Sequence, residues 1–189
     1  MMPIVLASIQ SNSTLDEASS LLMKHLCRAK DQGGELPPDI IIPLSAVLPF
    51  LASSHPDPAV RFHLFRILSV LLSLTPSALR LQILKELASD PDLPQMRSAA
   101  VSLVKEAIIE AIPSKMSQPN IFATPTFLQV LGPVLLRPDP PDFFSHDLSI
   151  NDIKESPEVP RLIECLAFYY LLLLRDKDNR VCLFYPFKE

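Results

Sequence analysis

Apolar residues recur along this chain every three or four positions, in runs broken by proline, and no stretch of strict alternation appears. That period belongs to helices with one buried face and leaves essentially no place for a sheet. The first helix is predicted to begin after Thr14. Thr14 and Glu17 have the spacing of a capping box, and Leu15, Leu22, Leu26 and Ala29 share a face. Gly33 and Gly34 follow Asp31, where a left-handed C-cap is needed. A second helix is predicted from Pro43 to Ser53, kinked or split by Pro49. Asp57-Pro58 reads as N-cap and first helical residue of a third, running to about Leu74 with Val60, Leu64, Ile67, Leu68 and Leu71 inward.

Thr75-Pro76 opens a fourth helix reaching Ser89, with Leu79, Ile83, Leu84 and Leu87 buried. A fifth runs from Pro94 to about Ile112 on Met96, Ala100, Leu103, Val104, Ala107 and Ile108. After a break at 113–120, Thr124-Pro125 starts a sixth, ending near Leu136 and interrupted at Gly132-Pro133. Residues 137–156, rich in Pro and Asp, read as a long loop, and Ser156-Pro157 caps a seventh helix to about Arg175.

Two segments look alike. Asp57-Pro58-Ala59-Val60-Arg61 opens the third helix, and Leu93-Pro94-Gln95-Met96-Arg97 opens the fifth. Both the prolines and the arginines are 36 positions apart (94 − 58 and 97 − 61). One helix separates the copies, so the period is that of a two-helix, HEAT-like repeat, in which stacked pairs bury what a single pair leaves exposed. The expected fold is therefore all-α, an α-solenoid of about seven helices. The divisions are 1–38 for an N-terminal helix and linker, 39–112 for helix pairs, 113–180 for further helices with the loop, and 181–189 for a tail. Asp57, Pro58, Arg61, Pro94 and Arg97 are the structural repeat positions. An arginine so placed reaches a carboxylate or a loop carbonyl, or is simply solvated.

Composition narrows the chemistry. The 189 residues carry 17 Lys+Arg against 21 Asp+Glu, a net charge of −4, which argues against a nucleic-acid partner. Mean hydropathy is +0.26 and the hydrophobic share 48%, too apolar for a disordered chain. The three cysteines, Cys27, Cys165 and Cys182, form no CxxC pair and point to a reducing compartment. Residues 1–10 do not read as a signal peptide, and the apolar runs 65–74 and 162–174 are short of a membrane span. Three glycines leave no phosphate loop, and no GxSxG or HExxH occurs.

His55, Asp57 and His63 cluster in sequence, but Asp57 is committed to a cap. His25 and Cys27 face different ways on one helix, and His146, Asp147 and Asp152 read as solvated. No catalytic, cofactor or metal residue is expected, and an enzyme with a dispersed site remains the minor alternative. Arg80 and Glu86, opposite the Leu79/Ile83/Leu87 stripe, are candidate exposed positions for a partner; a solvated face is the plainer reading of both. An apolar foot for a membrane surface would need Phe143-Phe144 or Phe184–Phe187.

The stretch from His55 to Ala111 resembles the family of fungal YAP-binding proteins, plant aberrant-lateral-root-formation proteins and glomulin. The resemblance rests on the His-Pro-Asp-Pro-x-Val-Arg opening, the Leu74-Thr75-Pro76 turn, and Pro94-Gln95-Met96-Arg97 leading to Val104-Lys105-Glu106. Arg161 to Leu166 and Leu174 to Asp178 are similar to the later part of that domain, most of all in its fungal branch. The likeness covers about 39–179, and the chain reads as a truncated member. It implies a HEAT-like scaffold without enzymatic activity or cofactor, in the cytoplasm with the nucleus as second compartment. Glomulin binds the RING-box subunit of cullin-RING ubiquitin ligases, and the fungal relatives bind a bZIP regulator of the oxidative-stress response. The implied partner is thus a RING-box/cullin subunit or a bZIP transcription factor. No contact residue carries over, and Val181 to Phe187 match no family pattern. The rival is a generic HEAT-repeat adaptor in transport or assembly.

Overall fold

The computed structural model describes residues 7–8, 14–112, 120–145, 149–176 and 181. Among them are eight bounded α-helices, two 3-10 turns and no strand. The helices are α1 (Leu15–Asp31), α2 (Pro38–Ser54), α3 (Pro58–Ser73), α4 (Ser77–Ser89), α5 (Pro94–Ala111), α6 (Pro125–Leu135), α7 (Ile150–Glu155) and α8 (Glu158–Arg175). The 3-10 turns are Ile121–Ala123 and Phe143–Ser145. Backbone contacts divide the chain into two compact units, residues 1–80 and 81–189, with the division inside α4.

In the first unit α3 packs against both α1 and α2. Its stripe Leu64, Ile67, Leu68 and Leu71 is fully buried, as the periodicity predicts, while Val60 is only half-buried. Asp57 Oδ1 accepts from the Ala59 N–H at 2.8 Å and Pro58 takes the first helical position. α1 ends in a Schellman motif. Gly34 N–H donates to the Ala29 carbonyl and Gly33 N–H to that of Lys30, with Gly33 at φ +67°. The Leu36 N–H then donates to the Leu74 carbonyl (3.0 Å), tying the α1–α2 linker to the end of α3. Truncating Leu68 to alanine is expected to cost about 2–5 kcal/mol in urea unfolding; a loss below about 0.5 kcal/mol would mean that its face is not buried.

Three boundary expectations are corrected. Thr14 is the N-cap of α1, but its side chain makes no capping bond, so the box with Glu17 does not form. α2 starts at Pro38, five residues before Pro43, and is not split at Pro49; both prolines lie inside it. Each ring removes one intrahelical hydrogen bond, and the buried stripe Ile41, Leu44, Leu48 and Ala52 carries the helix through. Pro133 likewise lies within α6, which continues to Leu135. So close to the end, a missing N–H costs a single bond.

The second unit is built on α5 against α8, with the first 3-10 turn packed on α5 and α6. Met96, Ala100, Leu103, Val104, Ala107 and Ile108 are all buried, as the spacing predicts. Phe122, Phe127 and Phe168 are fully buried and form an aromatic chain, centroids 5.7 and 5.9 Å apart, the second contact edge-to-face. The expected loop at 137–156 is not wholly irregular. It holds the second 3-10 turn and α7, opened by a capping box between Ser149 and Asp152. Hydrogen bonds from Ser149, side chain first and backbone second, hold the Asp152 carboxyl below its ordinary range. The carboxylate half of the box is therefore fully present above the usual carboxylate range and weakens as pH falls through the lowered value, whereas the Asp152 N–H to Ser149 Oγ bond does not titrate.

Candidate functional site

α8 carries two opposite faces. Its inward stripe is Glu158, Arg161, Cys165, Phe168 and Leu172, the i, i+3, i+4 spacing of a packed helix. Two of those five are charged, and they pair with each other. Arg161 is 2% exposed and Glu158 4%. Arg161 Nε donates to Glu158 Oε2 at 2.7 Å, and Nη2 donates to Oε1. The other guanidinium donors turn to the end of α6: Nη1 to the Val134 and Leu135 carbonyls (3.1 and 3.4 Å) and Nη2 to that of Arg137 (2.7 Å). The last carbonyls of a helix have no intrahelical donors, so one buried arginine caps α6 from the neighbouring helix.

The cluster extends further. The Asp139 N–H donates to Glu158 Oε1 (2.9 Å), and Arg97 forms an ion pair with Asp139 (2.9 Å) and a longer one with Glu158 (3.9 Å). The carboxylate of Glu158 raises the affinity of Arg161 for its proton, against the opposing effect of burial. Burial pushes the Cys165 thiol up; its Sγ lies 3.6 Å from Arg161 Nη1. The Glu158–Arg161 pair at its centre is buried and spent on packing, while Asp139 at its edge is exposed.

The outward face of α8 is the reverse. Ile163, Leu166, Tyr170 and Leu173 are 60%, 70%, 63% and 51% exposed, and Tyr169 and Leu174 lie beside them. Their 3-4-3 spacing is that of a coiled-coil seam. The one charged residue between Leu162 and Leu174 is Glu164, held in an ion pair by Lys105 of α5. Next to the seam lies an apolar groove of about 240 Å³, lined by Leu135, Leu136, Leu162, Cys165, Leu166 and Tyr169. A smaller apolar stripe is exposed on α2 of the first unit, at Ile42, Ala46 and Phe50.

The repeat positions are found at helix starts. Arg61 Nη1 donates to the His55 and Pro56 carbonyls (2.7 and 3.1 Å), and Arg97 Nε to that of Ala88 (3.4 Å). Both arginines thus turn back to the segment before their helix; among the described residues only Arg97 of the two also forms ion pairs. Pro94 takes the first position of α5 as Pro58 does of α3, but Leu93 offers no cap like that of Asp57. Arg80 was expected to be exposed and is not: it is 6% exposed, while Glu86 is open to solvent. Ile83, Leu84 and Leu87 are buried as the spacing predicts and Leu79 is only half-buried, while Arg80, Leu81 and Ala88 widen the buried face of α4. A long apolar stem lets an arginine occupy such a position.

His55 Nδ1 accepts from the Asp57 N–H (3.1 Å), so both residues serve the turn. Among the described residues no group of three His, Cys, Asp or Glu could hold a metal ion. His25 and Cys27 are both exposed. Phe143 is buried beneath Phe144, which removes half of that apolar foot; His146, Asp147 and Phe184–Phe187 lie outside the described residues. No described helix is long and apolar enough to cross a membrane. The Arg161–Glu158 cluster was missed from the sequence, although two charges spaced three apart in an apolar helix are a visible signal.

Among the described residues the bounded elements are all helical, one buried ion pair lies on the inward side of α8, and large apolar side chains stand exposed on its outward side. A family model described as an uncharacterised protein family, YAP/Alf4/glomulin, matches residues 3–183. The chain belongs to that family. No curated protein and no solved structure matches it significantly.

Proposed function

We propose that the chain is a non-enzymatic protein–protein interaction scaffold, a HEAT-like α-solenoid of helix pairs. The family match over 3–183 carries this reading. The geometry agrees: large apolar side chains gather on exposed helix faces, and the groove beside α8 is lined by leucines, Cys165 and Tyr169, without a carboxylate or histidine for proton transfer. By its likeness to glomulin and the fungal YAP-binding proteins, the partner is a RING-box/cullin subunit or a bZIP transcription factor, met in the cytoplasm or nucleus.

The second reading is a generic HEAT-repeat adaptor in transport or assembly. The test is direct binding of the purified chain to a purified RING-box–cullin pair and, separately, to a bZIP factor. Saturable binding to either supports the family reading. Binding to neither favours the generic adaptor.

A further inference from the structure

The outward face of α8 is too large and too free of charge to be an ordinary solvent-facing side. Six side chains from Ile163 to Leu174, each 37–70% exposed, present on the order of 600 Å² of mostly apolar surface. A contiguous patch of that size is at the upper end of what a monomer leaves uncovered. Two such faces together bury about 1,200 Å², the lower bound for a specific, stable interface.

We propose that the cover is a second copy of this chain, docked α8 against α8 in an antiparallel, two-fold pair. Three observations fit that occupant. The seam has the 3-4-3 spacing that lets one helix seat its side chains between those of another. The face carries no unpaired charge, because Lys105 already holds Glu164, so a copy meets no like-charge repulsion. The antiparallel sense also separates the two copies of Arg175, which is exposed at the C-terminal end of α8. The two helix dipoles then run in opposite senses side by side. The groove at Leu135, Leu162, Leu166 and Tyr169 opens next to the seam and receives an apolar side chain of the second copy. An interface of this size is reversible and is expected to dissociate in the micromolar range.

The experiment is sedimentation velocity on the full chain across micromolar concentrations, with L166E/L173E as the variant. Both positions are more than half exposed, so the charges leave the core intact, and far-UV circular dichroism verifies the helix content. Wild type is expected to pass from 21.1 kDa to twice that mass as concentration rises. The variant should weaken the dimer at least about 100-fold. A wild-type monomer at every concentration overturns the proposal. So does a dimer that ignores L166E/L173E and is broken by charge at Ile42 and Phe50. A monomer that dimerises only when residues 182–189 are removed also overturns it, and identifies that segment as the cover. Because the assay holds no foreign protein, its failure leaves the proposed scaffold function standing, and the partner titration can fail while the dimer stands.

Discussion

Arg161→Ala lowers the stability of the chain by about 3–5 kcal/mol, measured by urea unfolding. The size of that loss follows from what is left behind. Glu158, 4% exposed, keeps only the distant Arg97 at 3.9 Å as a counter-charge. The carbonyls of Val134, Leu135 and Arg137 lose their donor at the end of α6. Removing one partner of a buried pair strands the other charge, which costs more than the pair contributes as a whole. The double variant E158L/R161M therefore recovers part of the loss. It recovers only part, because an apolar side chain satisfies neither the α6 carbonyls nor the Asp139 N–H. A loss below about 1 kcal/mol for Arg161→Ala would place that side chain in solvent, where ion pairs contribute little.

Phe127→Ala costs about 3–5 kcal/mol, because the ring is fully buried and its removal leaves a cavity between two other rings. Phe122 and Phe168 lie 5.7 and 5.9 Å away on opposite sequence sides of it, so the cavity opens at the junction of α6, the 3-10 turn and α8. Phe127→Leu keeps much of the volume and should cost less than half as much. A loss below about 1 kcal/mol for Phe127→Ala would mean that the ring is not buried and that the aromatic chain is not the core of the second unit.

The parts of the fold that were legible in the sequence are those governed by local chemistry. Asp57-Pro58 declares the start of α3, Gly33-Gly34 the end of α1, and the apolar stripes of α3 and α5 fall in the expected phase. Prolines misled where tertiary burial outweighed them. Pro43 reads as a helix start only if the stripe beginning at Ile41 is overlooked, and Pro37-Pro38-Asp39 already held the signal. On α4 Ile83, Leu84 and Leu87 fall in the expected phase, and the error is Arg80 alone, assigned to solvent by its charge although its stem is mostly apolar.

The candidate site was the least legible part. A run such as Leu162–Leu174 reads as buried on every side, and only the burial of Arg161 shows which way the helix turns. Charge inside and leucine outside inverts the usual assignment. The 36-residue repeat was visible, yet the ion pair of Arg97 with Asp139 joins residues 42 positions apart (139 − 97), which no local pattern reveals.

The rotation of α8 decides both the buried clamp and the exposed seam, and thiol alkylation measures it directly. Cys165 is 3% exposed on the inward stripe, and burial holds its thiol in the unreactive protonated form. Leu166, one position on, is 70% exposed. Peptide mapping after brief iodoacetamide treatment of dilute native L166C is expected to find positions 27 and 166 modified and Cys165 protected until urea unfolds the chain. Native Cys165 reacting as fast as exposed Cys27 would contradict the account, for α8 would then turn the other face outward.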